Sequence, residues 1–378
     1  MRPLCLMIGV MLTALLSGAT ASQVRAEGPL VFVSSFAAGD EGAISSYRVD
    51  PATGKLTLVK RNAGAEHPFF LALSPDRKFL YSIHGKTFSG KDNEEVAAYK
   101  VAGGELTLLN RQSSRGTASC YLAVDATDKT VLVANYTTGS VGALPIQADG
   151  SLGAMTSFVQ HAGTSVDPAR QTGPHAHCFV ISPNNKFAYS ADLGLDKILC
   201  YQLDPAAAKL TPAKQPFART LPGAGPRHLT FHPNGKHLYV INEMANSVTL
   251  FDHDAETGGL IERQTISTVP NDFKGTSHCA DLKITPNGKF LYGTNRGHDS
   301  LAMYSIAADG QLTLIGIEPS LGKGPQNLLI LPGGDFLLCA NMPGNNLAVF
   351  RIDPVSGKLK SAGEPIAVHS PSCLMLVP

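Results

Sequence analysis

The sequence predicts an all-β chain folded as a single seven-bladed β-propeller with four antiparallel strands per blade. Three observations carry this. A turn of the Ser-Pro-Asp or Pro-Asn-Gly kind, followed by Lys, an aromatic residue and a short apolar run, recurs in LALSPDRKFLYSI from Leu71, VISPNNKFAYSA from Val180, LTFHPNGKHLYVI from Leu229 and LKITPNGKFLYGT from Leu282. LLILPGGDFLLCA from Leu328 and the degenerate LAVDATDKTVLVA from Leu122 extend the series. A leucine just after a second turn recurs at Leu56, Leu106, Leu152, Leu210, Leu260, Leu312 and Leu359, spaced 50, 46, 58, 50, 52 and 47 residues apart. Finally, the chain ends on PSCLMLVP, which matches the first strand of a repeat, whereas LVFVSS, AISSYRV and KLTLVKR near the beginning supply only the other three. The first blade is therefore expected to be closed by the C-terminal strand, which leaves no open sheet edge at the join.

Within a repeat the elements follow from residue type. In the repeat around residue 240 the strand-like runs are HLTFH, HLYVI, SVTLF and LIERQTI. They are separated by Pro233-Asn234-Gly235, by Glu243 to Asn246 and by Glu256 to Gly259. Little of the chain has a helical period. Glycine (37) and proline (25) make about one residue in six, which suits many turns.

Residues 1–26 carry Arg2, a mostly apolar run from Leu4 to Leu16, and small residues at Ala19-Thr20-Ala21 and Val24-Arg25-Ala26. This is the three-part pattern of a secretory signal peptide, with cleavage expected after Ala26. The apolar run is short for a membrane span. The expected organisation is thus a signal peptide at 1–26 and one propeller domain at 27–378, periplasmic or secreted, monomeric, and free of the membrane after cleavage. Removing Arg2 and Arg25 from the 31 basic residues leaves 29 against 30 acidic ones. No basic excess is available to neutralise phosphates, so nucleic acid is not an expected partner. Export permits disulfides. The cysteines that remain after cleavage are Cys120, Cys178, Cys200, Cys279, Cys339 and Cys373. None forms CxxC or CxxCH, and most sit in apolar runs as small buried thiols, although a bridged pair stays open.

Propeller geometry locates a site. The start of each innermost strand and the turn after each second strand lie at the same face. Six residues before the turn proline stand Phe69, His177, Arg227, Ala280 and Gln326, with His278 two residues before Ala280. After the second strands come Asp192, Asn242-Glu243, Asn295-Arg296-Gly297-His298-Asp299 and Asn341. His177, Arg227, Glu243, His278 and Arg296 should ring one mouth. The arginines suit bidentate anion binding or oxyanion stabilisation, and Glu243 or His177 suits proton transfer. The competing reading is a set of polar groups that satisfy one another at the channel rim. Gln326, His278, Asn295 and His298 are taken as substrate-binding, with turn capping the alternative for Asn295 and a structural role the alternative for His298. No cofactor or metal is expected: there is no Walker loop, GxSxG elbow or calcium loop, and His175-Ala176-His177 alone is a weak ligand pair.

The stretches GPHAHCFVISPNNKFAYSADLGLDKI from Gly173, GPRHLTFHPNGKHLYVINE from Gly225, SHCADLKITPNGKFLYGTNRGHDS from Ser277 and GKGPQNLLILPGGDFLLCAN from Gly322 resemble the seven-bladed propeller lactonases. That family includes bacterial 6-phosphogluconolactonase and the carboxy-cis,cis-muconate lactonising enzyme. The resemblance spans nearly all of the chain after residue 26. It implies hydrolysis of a sugar lactone to its open hydroxy acid. It places the family's catalytic groups on His177, Arg227, Glu243 and Arg296, with Glu243, aided by His177, as general base. An export signal does not suit a cytosolic phosphorylated lactone, which points toward an unphosphorylated one. The rival readings are a non-catalytic exported propeller that binds a small molecule or protein, and a redox propeller, for which no ligand motif is present.

Overall fold

A computed structural model describes residues 28–85 and 94–377. The expected export signal lies outside the described residues, as do residues 86–93. Seven four-stranded antiparallel sheets are arranged as blades, and the seventh carries an extra short strand at Ile366–Ala367. Among the described residues one 3-10 turn, Gly39–Glu41, is the only helix. No described helix is long and apolar enough to cross a membrane.

The first strands of the blades contact one another around the axis. They are Pro371–Val377, Pro68–Leu73, Ser119–Val124, Ala176–Ile181, Pro226–Phe231, His278–Ile284 and Pro325–Ile330, for blades 1 to 7 in turn. Closure is as the split repeat requires. The C-terminal strand pairs antiparallel with Leu30–Ser35, from Leu30 opposite Val377 to Val33 opposite Leu374. The ends of the described chain thereby share blade 1.

The recurring sequence marks are joints between neighbouring blades. The tyrosine of each Lys-aromatic-Leu-Tyr run is buried and donates to the carbonyl of a turn glycine in the next blade: Tyr189 to Gly258 at 3.0 Å, Tyr239 to Gly310 at 2.6 Å, Tyr292 to Gly357 at 2.8 Å. The aromatic residue two places earlier packs on the same glycine. At Gly258, with φ +73°, an added Cβ would lie 2.6 Å from the Phe187 ring. Phe336 makes the equivalent contact with Gly54 and so joins blade 7 to blade 1. At the opposite face a second joint recurs. Asp196, Asp299 and Asn345 sit in the left-handed region, at φ 51°, 54° and 53°. Their side chains accept backbone N–H groups at the start of the following blade: Gly225 at 2.8 Å, Gly324 at 2.8 Å and Ser370 at 2.8 Å. Asp and Asn are the non-glycine residues that enter the left-handed region most readily, and here the same side chains tie one blade to the next.

The apolar core lies between blades. Tyr239, Ile241, Val248 and Leu250 of blade 5 pack on Leu282, Leu291, Ala302 and Tyr304 of blade 6, for example. The six cysteines within the described residues are buried free thiols, so the structure holds no bridged pair among them.

Replacing Gly258 by Ala adds left-handed strain to a clash with Phe187 and should destabilise the fold by about 2–4 kcal/mol. Urea unfolding of the variant measures this, and a loss below about 0.5 kcal/mol would deny the joint its role.

Candidate active site

A cavity of about 280 Å³ opens at the face where the inner strands begin. It is lined by Phe36, Phe69, Cys120, Tyr136, His177, Arg227, Glu243, Arg296, Gln326 and Met342. All ten come from two positions of the repeat. Phe69, Cys120, His177, Arg227 and Gln326 are each the second residue of an inner strand. In blades 3, 4, 5 and 7 the ladder shifts register across that residue, between Ser119 and Tyr121, Ala176 and Cys178, Pro226 and His228, and Pro325 and Asn327. A bulge leaves one residue unpaired and re-aims its side chain, here toward the mouth. Phe36, Tyr136, Glu243, Arg296 and Met342 hold the second position, at the end of the second strand or just after it, where the chain turns back. The cavity therefore has a polar wall on blades 4 to 7, charged on blades 5 and 6, and an aromatic and sulfur wall on blades 1, 2, 3 and 7.

Glu243 is the hub of the charged wall. Its Oε1 accepts from Arg170 Nη2 at 2.7 Å, and its Oε2 accepts from Arg227 Nε at 3.0 Å and from Arg296 Nη2 at 2.8 Å. Burial would raise the pKa of such a carboxyl, but the three guanidinium groups outweigh it and hold Glu243 down at about 2. It is an anion at any working pH. Arg227 is 2% exposed, and Nη1 donates to the Ala280 carbonyl. Burial and the neighbouring Arg296 pull its pKa down to about 10, Glu243 opposing them in part, so it remains a cation. Arg296 donates from Nε to the His278 carbonyl at 3.3 Å and from Nη2 to the Cys279 carbonyl at 3.0 Å. It also donates from Nη1 to Gln326 Oε1 at 3.4 Å. His177 is buried, and its Nδ1 has no hydrogen-bond partner. Burial, aided by the charge of Arg227, pushes its pKa well below the ordinary 6.5, so the ring is neutral near pH 7. Tyr136 lies edge-on to it at 5.3 Å.

Of the residues expected at the mouth, His177, Arg227, Glu243, Arg296 and Gln326 line this one cavity. The other three do not line it. Asn295 is fully buried behind the turn and donates to the Thr268 carbonyl at 2.8 Å and to Ser300 Oγ at 3.1 Å. His298 pairs through Nδ1 with Ser300 Oγ at 2.7 Å and meets Phe273 edge-on at 4.7 Å. His278 contributes its carbonyl to Arg296, and its Nδ1 is buried without a partner.

Arg170 and Tyr136 were not singled out from the sequence. Arg170 belongs to the connection between blades 3 and 4. It is held by a local turn in which Asp167 Oδ1 accepts from the N–H groups of Ala169 and Arg170, both at 2.8 Å. Its guanidinium also donates to Tyr136 Oη at 3.1 Å. Asp-Pro-Ala-Arg is a legible turn, but nothing in it says where the arginine points. Tyr136 follows Asn135 as Glu243 follows Asn242, so repeat alignment alone would have found it. Among the described residues no group of three or more His, Cys, Asp or Glu side chains is placed to hold a metal ion.

The profile of the family described as "Lactonase, 7-bladed beta-propeller" matches residues 30–376. The chain is 33% identical over 346 residues to the 6-phosphogluconolactonase of Bacillus subtilis, covering 91% of this chain and 97% of that protein. It is 32% identical over 360 residues to the 6-phosphogluconolactonase of Formosa agariphila, covering 92% and 99%. Among solved structures, the periplasmic gluconolactonase of Pseudomonas aeruginosa superposes with a TM-score of 0.86 at 32% identity, covering 93% of this chain and 99% of that one. With the fold, its closure and this breadth of similarity in agreement, the chain belongs to the seven-bladed β-propeller lactonase family.

Proposed function

We propose that the mouth cavity hydrolyses a sugar lactone to the open hydroxy acid. The observation that carries this reading is the convergence of Arg170, Arg227 and Arg296 on the single carboxylate of Glu243, within 3.0 Å, in the wall of a cavity of about 280 Å³. Three guanidinium groups against one carboxylate leave a positive field, already oriented, where an ester carbonyl becomes an oxyanion. The volume suits one monosaccharide-sized ring and lies just below that of pockets for drug-sized ligands, roughly 300–1,000 Å³. The Bacillus subtilis and Formosa agariphila relatives are named for a phosphorylated lactone, and the Pseudomonas aeruginosa one for gluconolactone and the periplasm. With the export signal read at 1–26, the unphosphorylated lactone is the preferred substrate.

Roles follow from ionisation. Water adds to the lactone carbonyl, and Arg227 and Arg296 stabilise the resulting oxyanion. Collapse breaks the ring C–O bond, and the leaving alkoxide takes a proton to become the hydroxyl of the product. Glu243, held at about 2, is a feeble base; its work is to pin the arginines at fixed angles. His177 lines the cavity and is neutral near pH 7, so its ring is the group that accepts the proton from the attacking water and returns it to the leaving oxygen. Gln326 orients Arg296, and Phe36, Phe69 and Met342 offer the apolar face of the sugar ring a dry wall.

The purified chain lacking residues 1–26 is expected to open glucono-δ-lactone faster than 6-phosphoglucono-δ-lactone or galactono-lactone, after subtraction of spontaneous opening. His177→Ala should lower turnover by about 10²–10⁴-fold. No hydrolysis of any of the three would overturn the reading and favour a binding propeller. The pH profile supplies a second check. The active form of His177 is the unprotonated one, and its pKa is depressed. Activity should therefore stay level as pH falls through 6.5 and drop only well below it. An acid limb at an ordinary imidazole value of about 6.5 would rule out this His177 as the base.

A further inference from the structure

Arg227 has a third partner besides Glu243 and the Ala280 carbonyl. Its Nη1 meets His228 Nε2 at 3.2 Å. A guanidinium can only donate, so Nε2 must be the lone-pair nitrogen and the ring proton must sit on Nδ1. That proton is donated to Asp281 Oδ1 at 2.9 Å. Asp281 is 1% exposed and is itself saturated. Lys283 Nζ reaches its two oxygens at 2.8 and 2.7 Å, and Oδ2 also accepts from Asn327 Nδ2 at 2.8 Å and from the Leu328 N–H at 2.9 Å. The His228 ring is wedged edge-on against Tyr121 at 5.2 Å. A continuous chain of contacts thus links Lys283 through Asp281, His228 and Arg227 to Glu243.

We propose that His228, fixed in one tautomer by Asp281, is a positioning residue that sets the plane of the Arg227 guanidinium for the reaction at the mouth. The inference rests on the lactone-opening reading but concerns a residue that does not line the cavity. Without the His228 lone pair, Nη1 keeps only the Ala280 carbonyl, and the guanidinium plane is held by two bonds instead of three. An oxyanion donor rotated out of line loses value steeply with misplacement. Neutral His228 serves here because it presents an acceptor to Arg227 without adding a charge beside it.

The test compares His228→Leu, which removes the acceptor, with His228→Gln, whose amide oxygen can accept from Nη1 while its NH2 group donates. His228→Leu should lower kcat by about 10–100-fold with KM changed by less than about 3-fold, and His228→Gln should return kcat to within about 3-fold of wild type. A merely structural histidine would not give this split or this rescue. An equal loss in both variants, or kcat of His228→Leu within about 2-fold of wild type, would overturn the proposal. A readout independent of turnover is the Nε–H signal of Arg227 in a ¹⁵N-labelled sample, assigned through Arg227→Lys. It should shift or broaden in His228→Leu and persist in His228→Gln. If the wild type opens no lactone, the lactone reading fails, while an Arg227 signal unmoved in His228→Leu would separately defeat the positioning claim.

Discussion

Everything in this molecule depends on the pairing of Pro371–Val377 with Leu30–Ser35. A propeller blade is a twisted four-stranded sheet with two apolar faces, and each face is covered only by a neighbour. The ring has no stable partial form in which all faces are buried, so the last strand must return to the first blade. The pairing brings residues more than 300 positions apart into register. The inter-blade joints distribute that constraint: tyrosine hydroxyls on turn glycines at one face, and left-handed Asp or Asn side chains on the following blade at the other.

The site is a consequence of the same repetition. Each blade offers the mouth two positions, the bulged second residue of its inner strand and the residue where its second strand turns back. Filling these with Phe, Cys, Tyr and Met on one side and His, Arg, Glu and Gln on the other makes an amphipathic cup. Placing a buried arginine in that cup is costly unless it is paired, and the pairing here is shared. Glu243 serves three guanidinium groups, and Arg227 is held from below by His228 and Asp281. Glu243 keeps two guanidinium partners when any one of the three is withdrawn.

Much of this was legible in the sequence. The inner strands of blades 2, 4, 5 and 7 each span six residues, so a fixed count back from the turn proline lands on Phe69, His177, Arg227 and Gln326. In blade 6 the count also lands on the equivalent place, since Cys279 opposes Asn295 as Pro226 opposes Asn242, but the residue there is Ala280, whose methyl group does not line the cavity. Asn295 and His298 flank Arg296, but alternation along the strand aims Asn295 into the blade, and the turn that begins at Gly297, with φ +100°, carries His298 to Ser300 and Phe273. Arg170 has no counterpart in any repeat, so periodicity was silent about it. The ionisation of Glu243 was not legible either. It arises from three guanidinium groups supplied by a connecting segment, by blade 5 and by blade 6, and their convergence is a tertiary fact.

The central claim is that the arginine cluster gathered by Glu243 performs the chemistry rather than merely closing the channel. Arg296 tests it most directly, because it is partly exposed at the mouth and its loss leaves Glu243 still paired to Arg170 and Arg227. The measurement is turnover of the preferred lactone by Arg296→Ala beside the thermal unfolding midpoint of the same sample. The account predicts a fall in kcat of about 10²–10³-fold in a protein that remains folded at the assay temperature. Turnover within about two-fold of wild type in such a folded variant would contradict it.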